Sequence, residues 1–75
     1  MPLVQISVPE GALTLEQKRE LVAKVTDVVV EVERLPAVRP GVWVQITEVP
    51  DGGWGIGGKA YTRADLAALL RPESA

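Results

Sequence analysis

The sequence has no cysteine, no histidine and no phenylalanine. Without cysteine no disulfide can brace the fold and no thiolate can act as a nucleophile. Without histidine there is no Ser-His-Asp triad and no imidazole to carry protons near neutral pH. A zinc or copper site would have to rest on carboxylates alone, which disfavours a metal. Charge of one sign is also missing: eight Lys and Arg are interspersed with ten Asp and Glu, for a net charge of −2. No basic stripe follows a phosphate backbone, which argues against nucleic acid as a partner. No apolar run approaches the roughly 20 residues that span a bilayer, so no membrane association is expected. A charged leader segment with a small-residue cleavage site is not seen either, and the expected location is the cytoplasm.

These absences narrow the proton chemistry. Transfer near neutral pH is left to a shifted carboxylate, a shifted lysine or an α-amino group, and only the last titrates there unperturbed.

What is present is a chain of 75 residues, 47% of them hydrophobic. It reads as a single domain over 1–75, with a frayed end at about 72–75. A domain of about 60 residues buries only about 60% of its unfolded surface, so small domains need reinforcement. With disulfides and metals set aside, oligomerisation is the reinforcement left, and a homo-oligomer is expected.

Leu3 to Val8 alternates as a strand, with Val4, Ile6 and Val8 on one face. Thr14 opens a helix with a capping box to Gln17. Leu21, Val22, Val25, Val28, Val29 and Val32 then recur at helical spacing as one apolar stripe, and Pro36 stops the helix. The charged Lys18, Arg19, Glu20 and Lys24 read as a solvated face. Val42 to Val49 alternates again, with Val44 and Ile46 opposite Trp43 and Gln45. Strand, helix and strand in this order imply a parallel pair with a crossover helix. After the turn Pro50–Gly53, "WGIGG" reads as a hairpin arm or loop. Thr62 to Asp65 is a second capping signal, opening a short helix to about Leu70 that Pro72 ends. The fold class is α+β. One helix covers one face of the sheet, which leaves the face with Leu3 and Trp43 for another subunit.

Gly53, Gly58 and Lys59 fit most of a phosphate-binding loop, G-x-x-x-x-G-K-[ST]. Ala60 stands where a hydroxyl must hold magnesium, and the chain has no room for a nucleotide-binding sheet. The glycines read better as positive-φ positions of a hairpin. Trp54, set among them, has little reason to be in an intrachain core and points to a pocket or an interface. Trp43 reads first as packing and second as a pocket wall. Arg39, the arginine nearest a strand end, reads as a solvated loop charge. Glu10 and Glu48 lie near strand ends at an unknown separation.

Pro2 has two readings. It can simply open a strand, where its missing N–H costs nothing. Alternatively, removal of Met1, expected before so small a residue, exposes a secondary amine. In an apolar pocket that amine loses stability as its ammonium form and can act as a base.

Met1 followed by Pro2, the strand "PLVQISVPEG", the helix start "TLEQKRELV", the strand end "ITE" and the loop "WGIGG" together resemble the 4-oxalocrotonate tautomerase family. The resemblance runs from Pro2 to about Gly58. It implies a β-α-β protomer assembled into hexamers, as trimers of dimers, and a cofactor-free site around the amino-terminal proline. Pro2 would move a proton between oxygen and carbon of a small enol or 2-oxo acid, with Trp54 closing the pocket. The arginine that the family carries after "EG" is replaced by Ala12, and a second falls at Trp43; Arg39 is the candidate substitute. Other proline-dependent chemistry (hydration, dehalogenation or decarboxylation) and a non-catalytic role in a hetero-oligomer are the alternatives.

Overall fold

A computed structural model describes residues 2–70. Pro72 and the end assigned to 72–75 lie outside the described residues. The elements are β1 (Leu3–Pro9), α1 (Leu15–Glu33), a 3-10 turn (Pro36–Gly41), β2 (Trp43–Val49), β3 (Trp54–Ile56), β4 (Lys59–Tyr61) and α2 (Arg63–Leu69). β1 and β2 are parallel and paired from Leu3↔Trp43 to Pro9↔Val49.

The capping box of α1 is formed in full. Gln17 N–H donates to Thr14 Oγ1 at 3.1 Å, and Thr14 N–H donates to Gln17 Oε1 at 2.9 Å. The helix ends earlier than the proline signal suggested. Arg34 adopts a left-handed φ of 57° and turns its N–H back to the carbonyls of Val30 and Glu31. Pro36 then opens the 3-10 turn, where its fixed φ is an advantage and its missing donor is not needed.

Val4, Ile6 and Val8 of β1, with Val44 and Ile46 of β2, are half-buried beneath α1. On the helix, Leu21, Val22, Val25 and Val29 are half-buried and Thr26 is buried. Thr26 Oγ1 donates to the Val22 carbonyl at 2.7 Å, so its hydroxyl is satisfied within the helix. The expected stripe is too wide: Val28 and Val32 remain 58% and 73% exposed. Two strands spaced about 4.8 Å apart are narrower than the arc those positions sweep, so the flank of the helix overhangs the sheet.

Among the described residues no apolar side chain is fully buried. The radius of gyration is 15.6 Å, against about 11 Å for a compact domain of this length. The accessible surface is 5799 Å², where a compact 8.0 kDa monomer would show about 4,500 Å². The uncovered face of the sheet carries Leu3 and Trp43, 55% and 61% exposed, followed by Gln5 bonded to Gln45 at 3.2 Å.

β3 and β4 form an antiparallel hairpin with Trp54 opposite Tyr61. Gly57 and Gly58 at its tip have φ of 58° and 87°. Two consecutive positive φ values make the turn that suits hairpin twist, which explains the glycine pair. The stretch that resembled a phosphate loop is therefore strand, turn and strand. α2 starts at a second complete capping box, with Asp65 N–H donating to Thr62 Oγ1 at 3.1 Å and Thr62 N–H to Asp65 Oδ2 at 3.0 Å. No described helix is long and apolar enough to cross a membrane.

Candidate active site

Pro2 sits at the head of β1, half-buried. Its carbonyl accepts a hydrogen bond from the N–H of Trp43 at 3.0 Å, which extends the β1–β2 ladder to the terminus. Past the left-handed Arg34 the chain folds back through the 3-10 turn and walls a cleft of about 330 Å³ around Pro2. Leu35, Ala37, Val38 and Gly41 supply apolar lining, and Glu33 supplies the one charged group. The wall thus comes from the segment that links helix to second strand, and the proline from the start of the first.

The other expected site residues are placed differently. Trp43 is next to Pro2 along the ladder, with its ring on the uncovered face and exposed. Arg39 turns toward α1, where Nη1 bonds Asp27 Oδ1 at 2.5 Å. It lines a groove with Leu15, Val22 and Thr26, separate from the Pro2 cleft. Trp54 lies at the opposite end of the sheet. It follows the turn that leaves β2 at Val49, whereas Pro2 is next to Trp43 at the other end. Seven strand residues separate the two by about 20 Å. Trp54 is half-buried, and its Nε1 is buried with no hydrogen-bond partner among the described residues.

Two residues that sequence reading passed over also line cavities. Glu33 was indistinguishable from any solvated residue off the helix stripe. Arg63, read only as part of a helix cap, reaches from α2 to the β1–α1 turn. Its Nη1 donates to the Gly11 carbonyl at 2.7 Å, and its backbone N–H donates to Asp51 Oδ1 at 2.8 Å. With Glu10, Gly11 and Asp51 it borders an open groove of about 390 Å³. No sequence signal marks either residue, because both act across long chain separations.

Lys18, expected on a solvated face, is half-buried and pairs with Glu48 at 3.0 Å. The Lys18 ammonium, with the Gly11 backbone N–H, holds the Glu48 carboxyl below its ordinary value of 4.5. This pair joins α1 to the end of β2. Among the described residues no three acidic side chains come together as a metal site.

Residues 2–64 match the family model described as "Tautomerase enzyme". The chain belongs to the tautomerase family. Among its relatives is the probable tautomerase K2 of Dickeya dadantii, 40% identical over 63 residues that cover 83% of this chain and 90% of that protein. The 2-hydroxymuconate tautomerase of Pseudomonas putida is 41% identical over 58 residues, 77% of this chain and 87% of that one. The crystal structure of DmpI from Helicobacter pylori superposes with a TM-score of 0.58 at 30% identity, covering 79% of this chain and 85% of that chain. In this tautomerase the family match stops within the first turn of α2, so most of that helix lies beyond it.

Proposed function

We propose that this tautomerase uses Pro2, freed as a secondary amine by loss of Met1, to move a proton between oxygen and carbon of a small enol or 2-oxo acid. The neutral amine takes the proton of the enol hydroxyl, and the resulting ammonium returns one to carbon. The cycle consumes no electrons and needs no co-reactant. The observation that carries this reading is the half-buried Pro2 at the mouth of a largely apolar cleft, held by the Trp43 N–H. Low polarity there disfavours the charged amine, as a base at cellular pH requires.

The site takes in more than one copy of the chain. Trp54 and the Arg63 groove lie at the end of the sheet away from Pro2, and among the described residues neither outer edge of the two-stranded sheet has a strand partner. Two copies related by a twofold axis and paired antiparallel along an edge place the Pro2 end of one beside the Trp54 end of the other. The exposed Leu3 and Trp43 face then brings such dimers together into a hexamer acting in the cytoplasm. Trp43 belongs to this second interface, and Arg39 is available as a substrate cation if its bond to Asp27 opens. The excess surface of the protomer supports an assembly of this kind.

A second reading is favoured by Glu33. A carboxylate on the same cleft stabilises the prolyl ammonium, which suits a proton donor in hydration, dehalogenation or decarboxylation. The deciding experiment is an intact-mass measurement followed by enol-to-keto assays of wild type and Pro2→Ala. A mass lacking Met1, with loss of activity in the variant, is the expected result. A retained Met1, or equal rates, overturns the proline mechanism.

A further inference from the structure

A substrate anion needs a cation that is not already neutralised. Among the described residues, Lys18, Arg19, Lys24 and Arg39 each stand in a carboxylate pair. Lys59 lies over the Tyr61 ring at 4.9 Å, and Arg34 forms the exposed cap of α1. Arg63 differs from all of these. It borders a groove, its guanidinium makes its hydrogen bond to a neutral carbonyl, and that guanidinium is in none of the ion pairs of the described residues. That bond leaves the remaining guanidinium donors for a ligand, in the fork that suits a carboxylate.

The position is also fixed. The Gly11 carbonyl holds Nη1, Asp51 holds the Arg63 backbone, and the Thr62–Asp65 box fixes the start of the helix that carries it. Gly11 suits this approach. Its φ is 80°, and a Cβ there would lie 3.0 Å from Nη1. The same groove carries Glu10 and Asp51, both acidic. A single carboxylate can meet the guanidinium, whereas a second one nearby would face like charge.

We propose that Arg63 binds the substrate carboxylate for the Pro2 of a neighbouring copy, and that Glu10 and Asp51 restrict the site to monocarboxylates. This rests on the two-copy proline site proposed above and specifies its substrate class. The step is binding alone; no bond is made or broken at Arg63.

The test uses the full-length protein and reads binding by Trp fluorescence, so that it stands apart from turnover. Phenylpyruvate is the monocarboxylate probe, its methyl ester the neutral control and 2-oxoglutarate the dicarboxylate. The expected result for Arg63→Ala is a 10- to 100-fold weaker affinity for phenylpyruvate, the size of one lost charge-assisted hydrogen bond. Affinity for the ester is expected to stay within about twofold. Arg63→Lys should restore part of the loss, and Glu10→Gln should improve 2-oxoglutarate more than phenylpyruvate. An equal loss for acid and ester means that Arg63 only ties α2 to the turn, which overturns the proposal, as does wild type that fails to bind phenylpyruvate. An unchanged ratio of the two acids in Glu10→Gln overturns the restriction to monocarboxylates. Pro2→Ala separates the two levels: an active Pro2→Ala enzyme whose acid-to-ester preference still depends on Arg63 refutes the proline reading alone.

Discussion

The N–H of Trp43 donates to the carbonyl of Pro2 at 3.0 Å, one ladder position before β1 begins. A terminus that would otherwise fray is thereby held at the mouth of the cleft formed by the 3-10 turn. In the proposed mechanism, this hold keeps the Pro2 amine in one place so that a weak base meets one substrate geometry.

If Pro2 and Trp54 of different copies form one site, defects at the two positions should complement. Pro2→Ala and Trp54→Ala are each expected to lower kcat/KM at least tenfold. Co-expressed as mixed oligomers, they should regain a substantial fraction of wild-type activity, because some interfaces then combine an intact Pro2 with an intact Trp54. Mixed oligomers no more active than either parent would place both residues in the same copy's site.

Replacing Glu33 tests the field at the cleft. In the proposed mechanism a cleft carboxylate favours the prolyl ammonium, so Glu33→Gln should let the amine lose its proton at lower pH. The acid limb of kcat/KM against pH is expected to move down by about half a unit, a modest shift because Glu33 is exposed. A profile that does not move would show that Glu33 is too well solvated to matter.

The Lys18–Glu48 pair predicts a component of acid sensitivity. Lys18 and the Gly11 N–H lower the folded-state value of Glu48, so this carboxylate favours folding above its ordinary value of 4.5. That contribution fades as the pH falls below 4.5 and through the lowered folded value. Glu48→Gln should therefore flatten the Tm decline in that window while lowering Tm slightly at pH 7. Parallel Tm curves for variant and wild type would show that the pair carries no linkage.

Thr14→Ala removes the hydroxyl that accepts the Gln17 N–H. The expected cost is about 1 kcal/mol of stability, read by urea denaturation of the protein at fixed concentration. Thr14→Ser should restore most of it.

The sequence by itself determined the local elements and narrowed the groups able to carry a proton. Alternation in β1 and β2, and the Thr14–Gln17 and Thr62–Asp65 boxes, are governed by neighbours within four residues, so they are legible without a structure. The absence of histidine and cysteine likewise leaves few groups able to carry a proton, and composition alone shows that. The ring of cavity-lining residues was not legible. Val28 and Val32 fit the stripe but overhang a sheet only two strands wide, a limit set by how many strands pair. The left-handed Arg34, which no pattern favours, ends α1 and directs the cleft wall toward Pro2. Arg63 reaches Gly11 across 52 positions of chain, and Arg39 reaches back to Asp27. Such pairings depend on where whole elements come to rest, and only the tertiary structure decided them.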